Sequence, residues 1–289
     1  MKGGPAENHK IVGPDGLANQ TKLHPELMEV LERFREAIEA SPKNLPDWSP
    51  AKGASPNEIV RSALFTARNR NQRRVYLKQA EIIVTGGGSI LYLGEELRQD
   101  DELVWMRLLQ LAKGKPLGDP IYFTPYSFLK AIGWRVNNWG YQHLKTCLLR
   151  MKATAVQITS NRLHQTVVTS LIDYIAMWDP EKQSPLAEWE VRVSKVMSLL
   201  FADGAFTLID LEQRKALPEG IATKLHSYWS SHREPYPVKV ETLQKLCASE
   251  CELRFFRREL KKALNALVAV GFLENWGIES DLVAVIRKR

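Results

Sequence analysis

Between Arg254 and Asn265 the run RFFRRELKKALN carries Arg254, Arg257, Arg258, Lys261 and Lys262 and closes on Asn265. A guanidinium can fork onto the O6 and N7 of guanine, and a lysine meets a phosphate as a point charge. The competing use is an exposed basic face pairing with Glu250, Glu252 and Glu259. Five cations against three carboxylates leave a positive surplus, which favours a polyanion. A second group is Asn138, Gln142, Lys145 and Thr146, where Asn and Gln can read adenine edges or be ordinary surface residues. Arg162 stands in a polar turn as a candidate wing contact. The stretch 61–80, RSALFTARNRNQRRVYLKQA, holds Arg61, Arg68, Arg70, Arg73, Arg74 and Lys78 with no acid among them. It is either a solvated basic loop or an arm that contacts phosphate, and Arg68, Arg70, Arg73 and Arg74 are its candidates. Arg233 can touch phosphate or pair with Glu234 or a helix end.

Helices must position these groups. In 253–267 the residues Leu253, Phe256, Leu260, Ala263, Leu264 and Leu267 recur at helical spacing, which leaves Arg254, Arg258, Lys261 and Asn265 on another face. Gly271 permits a tight exit, and two apolar runs around the polar segment Glu279–Asp281 predict a hairpin. Upstream, Thr124 and Pro125 start a helix that Gly133 can end. After the turn RVNN a second helix packs Tyr141, Leu144, Leu148 and Met151. The runs AVQIT and TVVTSLIDYIAMW, joined across Ser160–Gln165, predict a wing. Helix, turn, helix and hairpin thus occur twice. The expected fold is α+β, with two tandem winged helix-turn-helix domains over 61–185 and 186–289. Residues 1–60 are expected as a flexible N-terminal extension with one amphipathic helix. That helix, over 25–40, shows an apolar stripe of Leu27, Val30, Leu31, Phe34, Ala37 and Ile38, which docks on the body or holds a partner protein.

Residues 1–60 hold 7 Lys and Arg against 9 Asp and Glu, so the excess of basic groups lies in 61–289. This suits double-stranded DNA as a partner without naming it. No apolar run approaches a membrane span and MKGGPAENHK lacks a secretory core, so a cytoplasmic protein with no membrane partner is expected. Cys147, Cys247 and Cys251 do not form a disulfide framework, and beside Cys247 and Cys251 only His232 is near, so no metal or other cofactor is expected. A nuclease would need a His-x-His pair, and nucleotide binding a Gly-x-x-x-x-Gly-Lys-Ser/Thr loop; neither occurs. Gly86–Gly88 more simply make a turn, and Asp100, Asp101 and Glu102 cap a helix. The chain is therefore read as a DNA-binding protein without catalysis. The alternative within that class is a winged-helix transcriptional repressor.

Four stretches, RSALFTARNR, ELRQDDELVW, the segment 134–160 with MKATA, and SSHREPYPVKVET from Ser230, resemble the TrfA family of plasmid replication initiators. The resemblance runs from about Leu45 to the C-terminus. It implies paired winged helices that bind the iteron repeats of an origin. It also implies assistance to origin opening with host DnaA, recruitment of the DnaB helicase, and a homodimer in equilibrium with an active monomer. By position, the DNA-reading elements are the helices near Asn138–Lys152 and Glu252–Asn265. The family's clamp-binding Gln-Leu-x-Leu-Phe peptide is not found between Leu23 and Asp47, so a sliding-clamp contact is not carried over.

Overall fold

The computed structural model describes residues 28, 29, 32, 35, 36, 44–69 and 71–288. Met28, Glu29, Glu32, Arg35 and Glu36 are helical and exposed; the apolar stripe of that helix and Arg70 lie outside the described residues. Ile38–Arg289 form one compact unit, distinct from Met1–Ala37.

The unit begins with strand β1 (Lys52–Pro56), the short helix α1 (Asn57–Val60), β2 (Phe65–Thr66), β3 (Tyr76–Ile82), β4 (Ser89–Glu95) and β5 (Leu97–Arg98). Helix α2 (Gln99–Ala112), β6 (Ile121–Phe123), α3 (Pro125–Ile132) and α4 (Asn138–Lys152) follow. Next come β7 (Ala155–Ser160), β8 (Gln165–Thr169), β9 (Ile172–Asp179), β10 (Ser184–Val193) and a kinked 3-10 segment, Lys195–Gly204. The chain then forms β11 (Phe206–Asp210), α5 (Leu211–Ala216) and α6 (Ile221–Ser230), and ends with β12 (Val238–Lys239), α7 (Val240–Leu246), α8 (Leu253–Ala269), β13 (Leu273–Glu279) and β14 (Leu282–Arg287).

One order of elements occurs twice: α2, β6, α3, α4, β9, β10, and then α6, β12, α7, α8, β13, β14. In each copy the short strand before the helix pair joins the last strand, giving sheets ordered β6–β10–β9 and β12–β14–β13. The first copy carries an inserted hairpin, β7–β8, which extends the sheet β3–β4–β7–β8. The run expected as one strand after residue 165 therefore breaks in two. Leu171 is fully buried and the Ser170 hydroxyl donates to the Ile172 carbonyl at 2.8 Å, which turns the chain between β8 and β9. The hairpin equivalent to β13–β14 is β9–β10, and the 161–164 turn belongs to the insertion.

Each copy has its own apolar core. The first extends from Leu45 to Phe201, wider than 61–185, and the second from Leu217 to Val285. Leu45, Trp48, Ala54 and Ile59 are buried in the first core, and β1 pairs antiparallel with β11. Residues 44–60, assigned by composition to the flexible extension, are thus held in the body by apolar burial. Likewise 186–193, expected to open the second domain, forms most of β10 and buries Trp189, Val191 and Val193 in the first core.

Local chemistry sets the helix pairs. Thr124 Oγ1 accepts the Ser127 N–H at 3.2 Å, Pro125 occupies the first turn, and Gly133 at φ 76 closes α3. Asn137 Oδ1 then accepts the Gly140 N–H at 2.9 Å to open α4. A Cβ at position 140 would lie 2.1 Å from the Arg135 carbonyl oxygen. Gly140→Ala is therefore expected to lower stability by about 1–3 kcal/mol in urea unfolding, because the turn must shift to admit one methyl group.

Candidate nucleic-acid interface

Helix α8 buries Phe256, Leu260, Ala263, Leu264 and Leu267 against the second core. Its outer face exposes Arg254, Phe255, Arg258, Lys261, Lys262 and Asn265. Arg254 meets Glu252 at 2.9 Å, Arg258 meets Glu259 at 3.1 Å, and Lys262 meets Glu259 at 3.0 Å. These pairs are solvent-exposed and weak, so a phosphate can compete for each cation. Lys261 makes no ion pair among the described residues. Arg257 turns away from this row: it is half-buried and pairs with Asp281 at 2.6 Å. The Asp281 carbonyl also accepts the Val240 N–H at 2.9 Å. The two-residue turn Ser280–Asp281, at φ 46 and 64, is thereby tied to both helices α7 and α8. Asn265 Oδ1 accepts the Trp276 indole N–H at 3.1 Å, which fixes its amide rather than leaving it free.

Helix α4 exposes Asn138, Gln142, Lys145 and Thr146, with Trp139 beside them at 64% exposure. The Thr146 hydroxyl donates to the Gln142 carbonyl at 2.9 Å. His143 lies between Trp134 and Trp139, ring centroids 4.6 and 4.8 Å away, and its Nε2 meets Asp100 at 3.1 Å. The stack holds the Trp139 ring against the surface at the start of α4. Trp139 and Phe255 are outward aromatic residues on these helices that the sequence reading missed. Spacing held the signal: Phe255, Arg258 and Lys262, like Trp139, Gln142 and Thr146, lie at i, i+3 and i+7.

Two members of the expected basic arm serve the fold instead. Arg74 is nearly buried, bound to Asp100 at 2.6 Å and to Asp101 at 2.7 Å. Arg68 meets Glu96 at 3.3 Å, donates to the Ala248 carbonyl at 3.0 Å, and pairs with Glu250, which pins the turn between α7 and α8. Acids remote in sequence have captured both cations. Arg73 remains exposed, without an ion pair among the described residues. Arg162, expected at a wing tip, is held by Glu58 and Asp203, both at 3.2 Å, because its hairpin packs beside α1 and the 3-10 segment. Arg233 is exposed and pairs with no acid among the described residues.

Asp100, Asp101 and Glu102 do more than cap α2. Asp101 accepts the Arg98 N–H at 2.8 Å, as a capping residue should, and also meets Arg150 at 2.6 Å. Glu102 is fully buried against Arg214 at 2.8 Å. Arg214 lies on α5 and reaches both copies of the repeat: Gln99 Oε1 at 3.0 Å on α2, and Ser227 Oγ at 2.8 Å and the Thr223 carbonyl at 3.1 Å on α6. Lys224, fully buried on α6, donates to the Ser62 carbonyl, and burial lowers its pKa. Arg61 Nε donates to Ser231 Oγ at 3.0 Å. A buried polar seam therefore joins the two halves. The SHREPYP run meets the seam at Ser231, and its other contacts stay within the second half: the His232 carbonyl accepts from Arg287 at 2.9 Å, and the His232 ring meets Tyr228 at 4.6 Å and Tyr236 at 5.4 Å.

Among the described residues, Asp100, His143 and Cys147 are the one grouping with metal-ligand types and spacing. Arg74 already occupies that carboxylate. Burial, outweighed by hydrogen bonds from His143 and by the Arg74 charge, leaves the Asp100 carboxyl well below its ordinary pKa.

His226 sits beside the seam, with Nε2 3.3 Å from Gln213 Oε1 and its ring edge-on to Phe272. Burial first, and then the charge of Arg214, lower its pKa to about 3. The unfolded imidazole titrates near 6.5, so below that pH the unfolded chain binds the extra proton. Stability present above pH 6.5 is lost as pH falls toward 3. By pH 5 the loss is about 2 kcal/mol, and a His226→Gln variant is expected to show a flatter decline of Tm between pH 7 and pH 5.

No helix among the described residues is long and apolar enough to cross a membrane. The body has the fold of domains 2 and 3 of RctB, with a TM-score of 0.54, 12% identity, and cover of 81% of this chain and 99% of that one. The Pi initiator protein, solved in complex with iteron DNA, aligns with a TM-score of 0.52 at 13% identity, covering 84% of this chain and 100% of that one. These define a mixed α and β fold that an initiator protein also has. The model of the family described as TrfA protein matches residues 23–287, and the chain belongs to that family. The plasmid replication initiator protein TrfA of Escherichia coli is 34% identical over 284 residues, which cover 96% of this chain and 73% of the relative.

Proposed function

We propose that this protein initiates plasmid replication by binding the iterons of its origin through two winged helix-turn-helix units. These are α3–α4 with hairpin β9–β10, and α7–α8 with hairpin β13–β14. The observation that carries the reading is the outer face of α8. It presents Arg254, Arg258, Lys261 and Lys262 to solvent on a helix whose other face is anchored in a core. A helix held in this way can enter a major groove with base-forking and phosphate-seeking groups foremost. On α4, Asn138, Gln142, Lys145 and Thr146 fill the corresponding role, and exposed Arg73 and Arg233 supply backbone contacts. Family membership supports the initiator role, and so does a neighbour crystallised with iteron DNA. Engagement of host DnaA and the DnaB helicase, and a dimer that dissociates to the active monomer, are part of the proposal on resemblance alone. No catalytic step is included.

The test is retardation of an origin fragment from the protein's own replicon, against shuffled competitor, at about 50 and 200 mM salt. Retarded steps equal in number to the repeats, with preference over the competitor surviving the higher salt, are expected. Equal loss from both DNAs would reduce the interaction to backbone attraction and overturn iteron recognition. Sequence-specific binding without local melting of the fragment in the presence of DnaA would instead favour a repressor.

A further inference from the structure

An exposed aromatic ring within a basic face calls for a partner that is apolar in one spot and anionic around it. Phe255 is 41% exposed in the first turn of α8, while its neighbour Phe256 is fully buried. The Arg254 guanidinium lies 4.6 Å from the centre of its ring and that of Arg258 lies 5.8 Å away. Such contacts are attractive and restrict the three side chains to one cluster. A single exposed apolar residue is ordinary on a protein surface. This one stands between the two arginines best placed to fork onto guanine, on the outward face and at the end of the helix that enters a groove first. Of the groups on base edges in the major groove, the thymine 5-methyl is the apolar one that a phenyl ring can cover.

We infer that Phe255 is a specificity-determining residue that reads a thymine methyl group next to the base contacted by Arg254 or Arg258. This rests on the proposed reading of α8 as a recognition helix. Burying the methyl group against the ring removes apolar surface from water on both partners, and its loss is expected to weaken binding about three- to fivefold. Arginine alone distinguishes guanine; the added phenyl contact makes the helix select a step containing thymine and guanine.

The experiment replaces thymine by uracil in the origin fragment, first throughout and then one position at a time. Binding is measured for the full chain, Phe255→Ala and Phe255→Leu. Uracil differs from thymine only by the missing methyl group. One or two positions are expected to show the three- to fivefold loss with the native protein, none with Phe255→Ala, and most of the loss again with Phe255→Leu. A flat uracil series with the native protein overturns the inference while leaving iteron binding intact. Sensitivity to uracil that persists unchanged in Phe255→Ala overturns it as well, by assigning the methyl contact to another residue. Failure of the unsubstituted fragment to outcompete shuffled DNA would instead sink the reading of α8 itself. Because the side chain is outside the core, an unchanged Tm is expected for both variants.

Discussion

Arg214→Met is expected to destabilise the protein by about 3–5 kcal/mol, since it leaves Glu102 as a buried charge without its partner. The Arg214 side chain is 3% exposed and that of Glu102 is 0% exposed, so solvent cannot screen the loss. The same substitution strips donors from Ser227, Gln99 and the Thr223 carbonyl, which separates α2 from α6 in the seam. Combining it with Glu102→Met restores an apolar pair of similar volume and is expected to recover much of the stability. Urea unfolding of the two single variants and the double variant closes the cycle. A loss below about 1 kcal/mol for Arg214→Met would refute the seam as the element joining the halves, and no recovery in the double variant would assign the loss to the hydrogen bonds of Arg214 rather than to the unpaired Glu102 charge. A double variant that is stable but no longer prefers repeats over shuffled DNA would assign the seam to spacing rather than to folding.

Replacing both Arg254 and Arg258 by alanine is expected to reduce specific binding by about 2–6 kcal/mol, roughly 30- to 20,000-fold, from about 1–3 kcal/mol per forked contact. Stability should hardly change, because their partners Glu252 and Glu259 sit at the surface, where such pairs contribute little. Arg74→Ala is the contrasting control. Its ion pairs with Asp100 and Asp101 lie inside the protein, so the Tm is expected to fall while the folded fraction keeps its preference for repeats. If Arg254→Ala with Arg258→Ala lowers affinity equally on repeat and shuffled DNA, the two side chains meet phosphate only, and the direct-readout role of α8 is lost.

Both helix pairs could be read from local signals. Thr124, Pro125 and Gly133 bound α3 through cap chemistry that acts over four residues, and the periodicity of α8 lies within one helix. What escaped the sequence depends on partners far along the chain. Arg68 and Arg74 look like free cations until Glu250 or Asp100 is brought beside them. Residues 44–60 carry the prolines of a tether, and the pairing of β1 with β11, some 150 residues away, together with burial of Leu45, Trp48, Ala54 and Ile59 in the first core, makes them structural. The hairpins β7–β8 and β9–β10 have similar strand-like composition, and pairing to β6 alone distinguishes the equivalent of β13–β14. Arg162 was therefore assigned to the wrong hairpin for a topological reason. Phe255 and Trp139 share the helical spacing of their charged neighbours, but an apolar residue in a helix is ordinarily expected to pack, and composition alone does not place these two outside.

A seam of fully buried, directional contacts such as Arg214 to Glu102 has one register, unlike an oily surface that can slide. If both units read the duplex as proposed, such a joint makes them a caliper with a locked jaw. On a duplex, one inserted base pair advances the far half-site by about 3.4 Å and turns it by about a tenth of a revolution. The length of each repeat would then be inherited from the protein's interior, and an origin could change its letters more readily than its ruler.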